Sequence, residues 1–488
     1  MAALALLRLA ALCCAQATQA ESPWLDDRNL GAPLRPSELP GLAAPHLDVA
    51  SRIVGRALVA NRALATIEEL CDDCGSRISG SENAARAVDW CLERLRHDGF
   101  ENVRAEPVMV PRWVRGECRV AMTAPRAEEL VACALGGSVG TGGRPLRAPV
   151  VVTESLDSLQ RLERSRVAGR IVLFTRRMKR GGGEAAGYGA TVSIRSRGAL
   201  AAARLGAVGV MIRSVGTGNA RLVHTGQTNY DESAPRIPAV AISAEDAEML
   251  ERLAARGVAI EASIDLGCET LDPVESANVV AELVGRELPE EIVLIGGHLD
   301  SWDVGLGAID DAAGVVISWE AVRILKELGL RPRRTIRTVF FMNEENGLEG
   351  GKGYAARHAE AAARHVAAIE SDGGAGRPLG FGCTSREADL ARVRQLATLL
   401  RGIGADRVTA GGGGADLGPL QRLGVPTLGL SQDPHWYFDY HHTPADTPDK
   451  IDPHELALNV AAMGVMAWAL AEMEPRLAPL QPAATETR

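Results

Sequence analysis

Residues 291–314 read EIVLIGGHLDSWDVGLGAIDDAAG, and this stretch decides how the rest of the chain is interpreted. The apolar run Ile292–Ile295 is typical of a buried strand. Two glycines and His298 follow it, and the pair Asp310-Asp311 comes after a glycine-rich loop. Apolar side chains then recur at helical spacing over residues 312–328, which predicts a helix. This order of elements predicts a metal site at the carboxyl edge of a parallel sheet.

Strands and helices alternate through the remainder of the second half. Strands are predicted at 279–283, 336–341, 366–369 and 426–430, and a last amphipathic helix at 454–473. Such alternation favours a mostly parallel sheet with helices on both faces, so the predicted fold class is α/β.

The pattern of residues changes near positions 140 and 270, which suggests that the segment between them is an insertion. Strands are predicted inside this block at 149–152, 170–174, 207–212, 237–242 and 260–266, with helical segments between them. The block lacks the acid–histidine spacings found elsewhere, and its length fits one domain. We therefore predict a signal peptide at 1–20, a first part of the main domain at 21–140, an inserted α/β domain at 141–270 and the rest of the main domain at 271–488.

Side chains that bind metals follow several of the predicted strands. Zinc takes imidazole nitrogen and carboxylate oxygen as ligands, and a catalytic zinc keeps one position open for water. Two zinc ions that share one carboxylate need five protein ligands when each also takes two of its own. The chain offers such a set in His298, Asp310, Glu345, Asp372 and His442.

Each of these residues taken alone has an ordinary structural explanation. A single histidine at a strand end is more often a hydrogen-bonded structural residue than a ligand. The pair Glu344-Glu345 alone is more typical of a solvated helix start, and Asp372 before two glycines is typical of a turn. The prediction of a metal site depends on their joint placement at one sheet edge.

Five motifs in fixed order carry a family resemblance. They are GGHLDSW, GAIDDAAG, NEENG, ESDGG and HHTPADT. The series resembles the M28 family of di-zinc exopeptidases, and the similarity runs nearly from the predicted signal peptide to the C-terminus. The resemblance implies a three-layer α/β/α sandwich with a mostly parallel sheet, and it makes the 141–270 block similar to a protease-associated (PA) domain. Within the family the chain is similar to a branch of carboxypeptidases, which implies hydrolysis of dipeptides or short peptides, two zinc ions per chain and a homodimer.

The resemblance also assigns the zinc ligands. His298 and Asp372 would hold one zinc, Glu345 and His442 would hold the other, and Asp310 would bridge the two.

Three neighbouring residues receive roles or alternatives from the same resemblance. Glu344 matches the general base, and Asp300 matches a carboxylate that orients His298. His442 is chosen over the adjacent His441 because the family pattern places the ligand directly before Ser or Thr.

The net charge, the N-terminal residues and the cysteines indicate which cellular compartment and which partners the protein could have. The net charge of −9 with no basic stripe gives no support for nucleic-acid binding. Residues 1–20 resemble a secretory signal peptide cleaved after Ala17 or Ala20, and no other run approaches membrane-spanning length. We therefore expect a secreted enzyme or one in the endomembrane lumen. The spacing of Cys71 and Cys74 favours a local disulfide or two buried thiols.

Other functions remain as alternatives. An M28 aminopeptidase would use the same ligands and recognise the other end of the substrate. A non-catalytic relative would have lost ligands, and this chain keeps all of them together with Glu344. Glutaminyl cyclase chemistry is disfavoured by the inserted block and by the complete second metal set. The stretch GGGGAD at 411–416 predicts a flexible loop, which either brings Asp416 to the substrate site or is simply solvated. The aromatic cluster at 435–440 either lines a substrate pocket or packs against a partner subunit.

Overall fold

The computed structural model describes residues 35–182, 187–218 and 220–481. The predicted signal peptide at 1–20 lies outside the described residues. The strands are β1 (Glu101–Val114), β2 (Cys118–Ala124), β3 (Glu128–Leu130), β4 (Ala132–Ala134), β5 (Leu146–Thr153), β6 (Ile171–Phe174), β7 (Gly209–Arg213), β8 (Ala239–Ile242), β9 (Glu261–Leu266), β10 (Glu269–Leu283), β11 (Leu288–His298), β12 (Arg334–Phe341), β13 (His365–Glu370), β14 (Pro378–Thr384), β15 (Arg407–Ala410) and β16 (Thr427–Gln432).

The α-helices are α1 (Leu47–Ala60), α2 (Ala63–Cys74), α3 (Glu82–His97), α4 (Leu156–Gln160), α5 (Arg164–Val167), α6 (Tyr188–Thr191), α7 (Ser193–Arg204), α8 (Ala244–Ala255), α9 (Ala313–Glu327), α10 (Glu349–Arg357), α11 (Glu387–Ala397), α12 (Gly418–Arg422), α13 (Tyr437–Tyr440) and α14 (Pro453–Glu472). Short 3₁₀ turns lie at Pro36–Glu38, Ala44–His46, Ala359–Arg364, Thr398–Ile403 and Pro448–Lys450, and a π turn lies at Ala308–Ala312.

Two eight-stranded sheets organise these elements, and we name them sheet A and sheet B. Sheet A has the order β1-β10-β12-β11-β13-β16-β14-β15, and sheet B has the order β3-β2-β9-β5-β6-β7-β8-β4. The described residues therefore form a mixed α/β protein, as predicted.

The four central strands of sheet A, β12, β11, β13 and β16, are parallel. However, β10 is antiparallel to β12 and β14 is antiparallel to β16. The prediction of a mostly parallel sheet is therefore correct for the centre and wrong for the strands that join it on either side. Only residues 284–287 separate β10 from β11, and this is too short for the crossover of a dozen or more residues that a parallel connection needs.

Helices cover both faces of sheet A, which explains why residues 292–295 of the central strand β11 form an unbroken apolar run. Val293 and Ile295 pack into the larger core with α1, α9 and α14, whereas Ile292 and Leu294 pack on the other face with Tyr354 of α10. A parallel strand that is buried on both faces reads as a continuous apolar run rather than an alternating one.

The register of these strands places their carboxyl ends side by side. His298 at the end of β11 pairs with Phe341 at the end of β12, and Gly296 pairs with Glu370 at the end of β13. The segments that leave the three strands therefore start from one edge of sheet A.

Helix α14 differs from its prediction. It was expected to be amphipathic, yet every residue from 456 to 471 is buried. By length and composition it is apolar enough to cross a membrane, and 89% of its apolar window is buried inside the protein. The helix packs against α1, α9 and sheet A, so this burial marks it as a core helix. The expectation that no second run would approach membrane-spanning length is therefore wrong by composition.

A break at residues 61–62 separates helix α1 from helix α2. Asn61 ends α1, and its side-chain oxygen accepts a hydrogen bond from the backbone N–H of Ala63 at 3.0 Å. The backbone N–H of Arg62 donates to the Glu320 carboxylate at 2.8 Å, so the N–H groups of Arg62 and Ala63 at the break both have acceptors. At the end of α2, Cys71 and Cys74 are buried free thiols.

Sheet B is inserted between two paired strands of sheet A. Val114 at the end of β1 pairs with Glu269 at the start of β10, and all strands of sheet B lie between these residues, at 118–266. The predicted boundary at 140/141 falls inside sheet B because β2 pairs with β9 and β4 pairs with β8. We refer to residues 118–266 as the inserted block.

His365 is buried at the amino end of β13, and it makes the free energy of unfolding depend on pH. Burial lowers the pKa of His365 to about 3, with help from the charge of Arg337. The Tyr354 hydroxyl accepts a hydrogen bond from Arg337 and lies 2.9 Å from His365 Nε2, so its own proton points at a neutral imidazole. An unfolded histidine has a pKa of about 6.5, so the unfolded chain binds the proton first as the pH falls.

We therefore expect His365 to remove about 2 kcal/mol of stability between pH 7 and pH 5. A His365→Gln variant should lose that much less stability over the same interval, as measured by urea unfolding at each pH. An exposed histidine changed in the same way, His97→Gln, serves as the control. Equal pH dependence in wild type and His365→Gln would contradict the assignment.

Candidate metal centre

The carboxyl edge of sheet A gathers all five predicted ligands. His298 ends β11, Glu345 follows β12, and Asp372 follows β13. Asp310 lies in the π turn before α9, and His442 lies directly after the short helix α13 and the adjacent His441. The sequence therefore places three ligands by strand ends, while the turn and the loop supply the other two.

Asp310 lies between the two histidines. Its Oδ1 atom is 3.2 Å from Nε2 of His298, and its Oδ2 atom is 3.2 Å from Nε2 of His442. All three side chains are buried. One carboxylate thus faces two imidazoles through separate oxygens, which is the arrangement of a bridging ligand.

The remaining two ligands lie on opposite sides of this bridge. Asp372 Oδ1 is 3.5 Å from Nε2 of His298, and Glu345 Oε2 is 2.9 Å from Nε2 of His442. Two groups, each with one imidazole and one carboxylate of its own, therefore converge on Asp310.

The electrostatics of the site call for positive charge. Burial lowers the pKa of His298, but Asp310 and Asp372 outweigh it and raise the pKa well above the usual value. Burial likewise opposes protonation of His442, yet Glu345 and Asp310 raise its pKa to about 10. The Oε1 atom of Glu345 is buried and accepts no hydrogen bond from the described residues. Divalent cations would satisfy these carboxylates, so the donor set fits a metal centre.

The relatives of this sequence agree with that chemistry. The family model for peptidase family M28 matches residues 278–466. Carboxypeptidase Q of Mus musculus is 37% identical over 437 residues, which cover 89% of this chain and 91% of the relative. Carboxypeptidase Q of Homo sapiens is 37% identical over 88% of this chain and 90% of the relative. The chain belongs to peptidase family M28. It is therefore a metallopeptidase, and the predicted similarity to one carboxypeptidase branch of the family is confirmed.

Solved structures extend the comparison to three dimensions. A peptidase M28 precursor from Shewanella amazonensis shares 41% identity with a TM-score of 0.85, over 90% of this chain and 99% of that one. An aminopeptidase from Aneurinibacillus sp. shares the fold, with 23% identity and a TM-score of 0.60 over 89% of this chain and 98% of that one.

Glu344 precedes the candidate ligand Glu345 in this M28 chain and is half-buried. Burial raises its pKa well above the usual value, and the negative charge of Asp372 adds to the effect. A carboxylate with a raised pKa accepts a proton more readily near neutral pH, which is what a general base requires.

The geometry favours His442 over His441 as the ligand. Nε2 of His442 faces both Asp310 and Glu345, whereas Nε2 of His441 is 3.6 Å from Asp310 Oδ2. The two rings stack with centroids 3.5 Å apart. His441 therefore lies behind the ligand while remaining within reach of the bridging carboxylate.

Asp300 does not orient His298 in the predicted way. The backbone carbonyl of Asp300 faces His298 Nδ1 at 2.9 Å, while its carboxylate lies 3.8 Å away. That carboxylate instead accepts hydrogen bonds from the backbone N–H groups of Asn343, Glu344 and Glu345, at 2.6, 3.0 and 3.3 Å. The prediction is wrong because the loop after β12 brings three backbone donors to the side chain. Asp300 thus fixes the segment that carries the general-base candidate and one ligand.

Asp311 is a supporting residue that sequence reasoning did not separate from Asp310. Its carboxylate accepts hydrogen bonds from the backbone N–H of His298 at 3.1 Å and from that of Gly314 at 2.9 Å. A side chain at Gly297 would place its Cβ 2.4 Å from Asp311 Oδ2, so glycine is required there. The signal for this role was the doubled aspartate directly before a helix.

Behind the ligands lies a second acidic pair, Glu370 and Asp416. The backbone N–H of Leu417 donates to Glu370 at 3.1 Å, and a Cβ at Gly414 would lie 2.2 Å from the Glu370 carboxyl carbon. Burial and the charge of Asp372 raise the pKa of Glu370 to about 8. The glycine run was predicted to be a flexible loop, and the structure shows that it wraps closely around this buried carboxyl.

The aromatic cluster at 435–440 lines an open space beside the ligands. A cavity of about 630 Å³ is bounded by His435, Trp436, Tyr437 and Tyr440, together with Ile309, which precedes the bridging aspartate. This volume lies within the range of small-ligand sites. That the cluster lines a substrate pocket stays a prediction.

We expect Asp300→Asn to weaken metal binding without unfolding the chain. The amide offers one acceptor oxygen instead of two, so the loop at 343–345 loses part of its support. Affinity for zinc should fall roughly 10- to 100-fold, as for other changes behind metal ligands. Competition with a chromophoric chelator measures this, and the exposed Asp272→Asn provides a charge-matched control. Unchanged affinity in Asp300→Asn would remove this role.

Proposed function

We propose that the chain is a di-zinc exopeptidase that hydrolyses dipeptides or short peptides in the manner of the carboxypeptidases that it resembles. The observation that supports this most directly is the position of Asp310, whose two carboxylate oxygens each lie 3.2 Å from a different histidine. A carboxylate in this position can be shared by two cations, because each of its oxygens faces a different imidazole.

The proposed ligands divide into two sets. His298 and Asp372 would hold one zinc, Glu345 and His442 would hold the other, and Asp310 would belong to both. When bound, zinc supplies a water of lowered pKa and polarises the scissile carbonyl.

The chain's own residues then provide the proton transfers. Glu344 accepts the proton of the attacking water and delivers it to the departing amine. Asp300 holds the backbone of Glu344 at 3.0 Å, so the base stays in position through both transfers. The carboxylates of Asp310 and Glu345 remain ionised as ligands, which leaves Glu344 to act as the base.

A specific observation also favours aminopeptidase activity as the second candidate. The 630 Å³ cavity beside the ligands is lined by Asp433, Asp449, Asp452 and Glu455, against the single cation Lys450. An excess of carboxylates would attract a free α-amino group rather than a free α-carboxylate. The terminus that anchors the substrate is therefore the main point on which the two candidates differ.

Two further features belong to the same proposal. The inserted block would be a PA-like domain, and the enzyme would act as a homodimer. The signal-like residues 1–20 support export, so the enzyme would work outside the cytosol, in a secretory compartment or after secretion.

Glu344→Gln should retain both zinc ions and lose turnover. The amide preserves the shape of the side chain but cannot accept the proton, so kcat should fall by roughly 10²- to 10⁴-fold. Atomic emission for metal content and a dipeptide hydrolysis assay together measure this. Wild-type turnover in this variant would refute Glu344 as the base.

Asp310→Ala is the matched comparison for metal content. It removes the bridge between the two sets, so the purified variant should contain fewer than two zinc ions per chain. A full complement of two in this variant would contradict the shared-ligand assignment.

A panel of dipeptides with blocked termini separates the two candidate activities. Carboxypeptidase-type recognition predicts cleavage of N-acetylated dipeptides and loss of cleavage when the C-terminus is amidated. The acidic cavity predicts the opposite pattern if it holds the α-amino group. Hydrolysis is followed by release of free amino acids, with chelator-treated enzyme as the blank, and activity that survives the chelator would argue against metal dependence.

A further inference from the structure

The loop that carries His442 is held by the inserted block rather than by sheet A alone. We call residues 435–443 the histidine loop. The backbone N–H of Thr225 donates to the carbonyl of His442 at 3.0 Å, and Nδ1 of His224 faces the carbonyl of His441 at 2.8 Å. Both donors belong to the inserted block, so the block holds the backbone on each side of the ligand.

A second set of contacts fixes the start of the histidine loop to the same block. Asp439 accepts hydrogen bonds from Arg180 at 2.6 and 2.7 Å and from the Thr217 hydroxyl at 2.6 Å. The guanidinium of Arg180 also lies over the Trp436 ring, 4.8 Å from its centroid. The loop is therefore anchored to the block at both ends.

The ring of His442 is positioned by two groups of the inserted block. Its Nδ1 atom lies 3.2 Å from the carbonyl oxygen of Thr225 and 3.2 Å from Nη1 of Arg195, and Nη1 of Arg195 lies 3.3 Å from the same carbonyl. A histidine that binds metal through Nε2 carries its proton on Nδ1. That proton can only go to the Thr225 carbonyl, because Arg195 offers no acceptor. The imidazole and the guanidinium therefore donate to one shared carbonyl.

Arg195 is built into this position. It is 7% exposed, and its Nη2 donates to the Tyr188 hydroxyl at 2.6 Å. A Cβ at Gly226 would lie 2.5 Å from the guanidinium carbon, so glycine leaves the space that the side chain fills. Its described hydrogen-bond acceptors are the Thr225 carbonyl and the Tyr188 hydroxyl, and both are neutral. Burying a guanidinium without a carboxylate partner is unfavourable, which indicates a task beyond packing.

His298, the ligand on the other side of Asp310, is supported differently. Its Nδ1 atom faces the backbone carbonyl of Asp300, two residues along the same segment. One imidazole is thus oriented within sheet A, and the other is oriented by residues that lie outside the region matched by the family model.

We propose that Arg195 and Thr225 are positioning residues for His442, so that the inserted block completes the metal position formed by Glu345 and His442. This inference rests on the proposed di-zinc function. It predicts that the two metal positions differ in what they depend on: the position at His298 is complete within sheet A, and the position at His442 also requires the block.

The test uses the full-length zinc-loaded protein and the variant Arg195→Met. Zinc content and chelator competition should show one zinc held as in wild type, and a second zinc bound roughly 10- to 100-fold more weakly. Cobalt substitution should alter the visible absorption of one metal position only. Arg195→Lys, which keeps the charge and a donor, should recover part of the lost affinity.

The matched control is Arg213→Met, which removes another buried arginine of the inserted block, one that pairs with Glu248 at 3.1 Å. This control should bind both zinc ions as wild type does. If Arg195→Met does not fold, Gly226→Ala displaces the same guanidinium and should give the same selective loss. Wild-type affinity for both zinc ions in Arg195→Met or Gly226→Ala, or an equal loss in Arg213→Met, overturns the inference. Fewer than two zinc ions in the wild-type protein would overturn the proposed di-zinc function itself.

Discussion

The structure depends on one constraint, which is that a single buried carboxylate must face two imidazoles from different parts of the chain. Asp310 reaches His298 at the end of β11 and His442 in the histidine loop, both at 3.2 Å. Several carboxylates buried around the same point repel one another and gain stability only if positive charge is present among them. The buried carboxylates and imidazoles at this edge of sheet A therefore form a donor set that fits cations.

Supporting carboxylates around this centre act on the backbone rather than on the ligands' side chains. Asp300 accepts three backbone N–H groups at 343–345, and Asp311 accepts the N–H groups of His298 and Gly314. Each of these bonds fixes a segment that leaves a strand of sheet A. Ligand geometry is therefore set by short segments with few free dihedral angles, which is how a site achieves the preorganisation that catalysis needs.

The two proposed metal positions would have different structural origins. The candidate ligands around His298 come from strand ends of sheet A and the turn before α9. His442 lies in the histidine loop, and that loop is anchored by hydrogen bonds from Thr217, Thr225 and Arg180 of the inserted block. An insertion between β1 and β10 thus lies against the candidate metal centre.

The sequence by itself determined the α/β class, the buried strand before His298 and the five candidate ligands that the fold brings together, because apolar runs and motif order are local properties of the chain. It did not determine that Asp300 would bind backbone N–H groups, that α14 would be buried on all sides, or that Arg195 would lie 3.2 Å from His442. Those features depend on which segments meet in space. Residues 195 and 442 are 247 positions apart in the sequence. The residues around each of them give no sign of this contact, because it forms only when the chain folds.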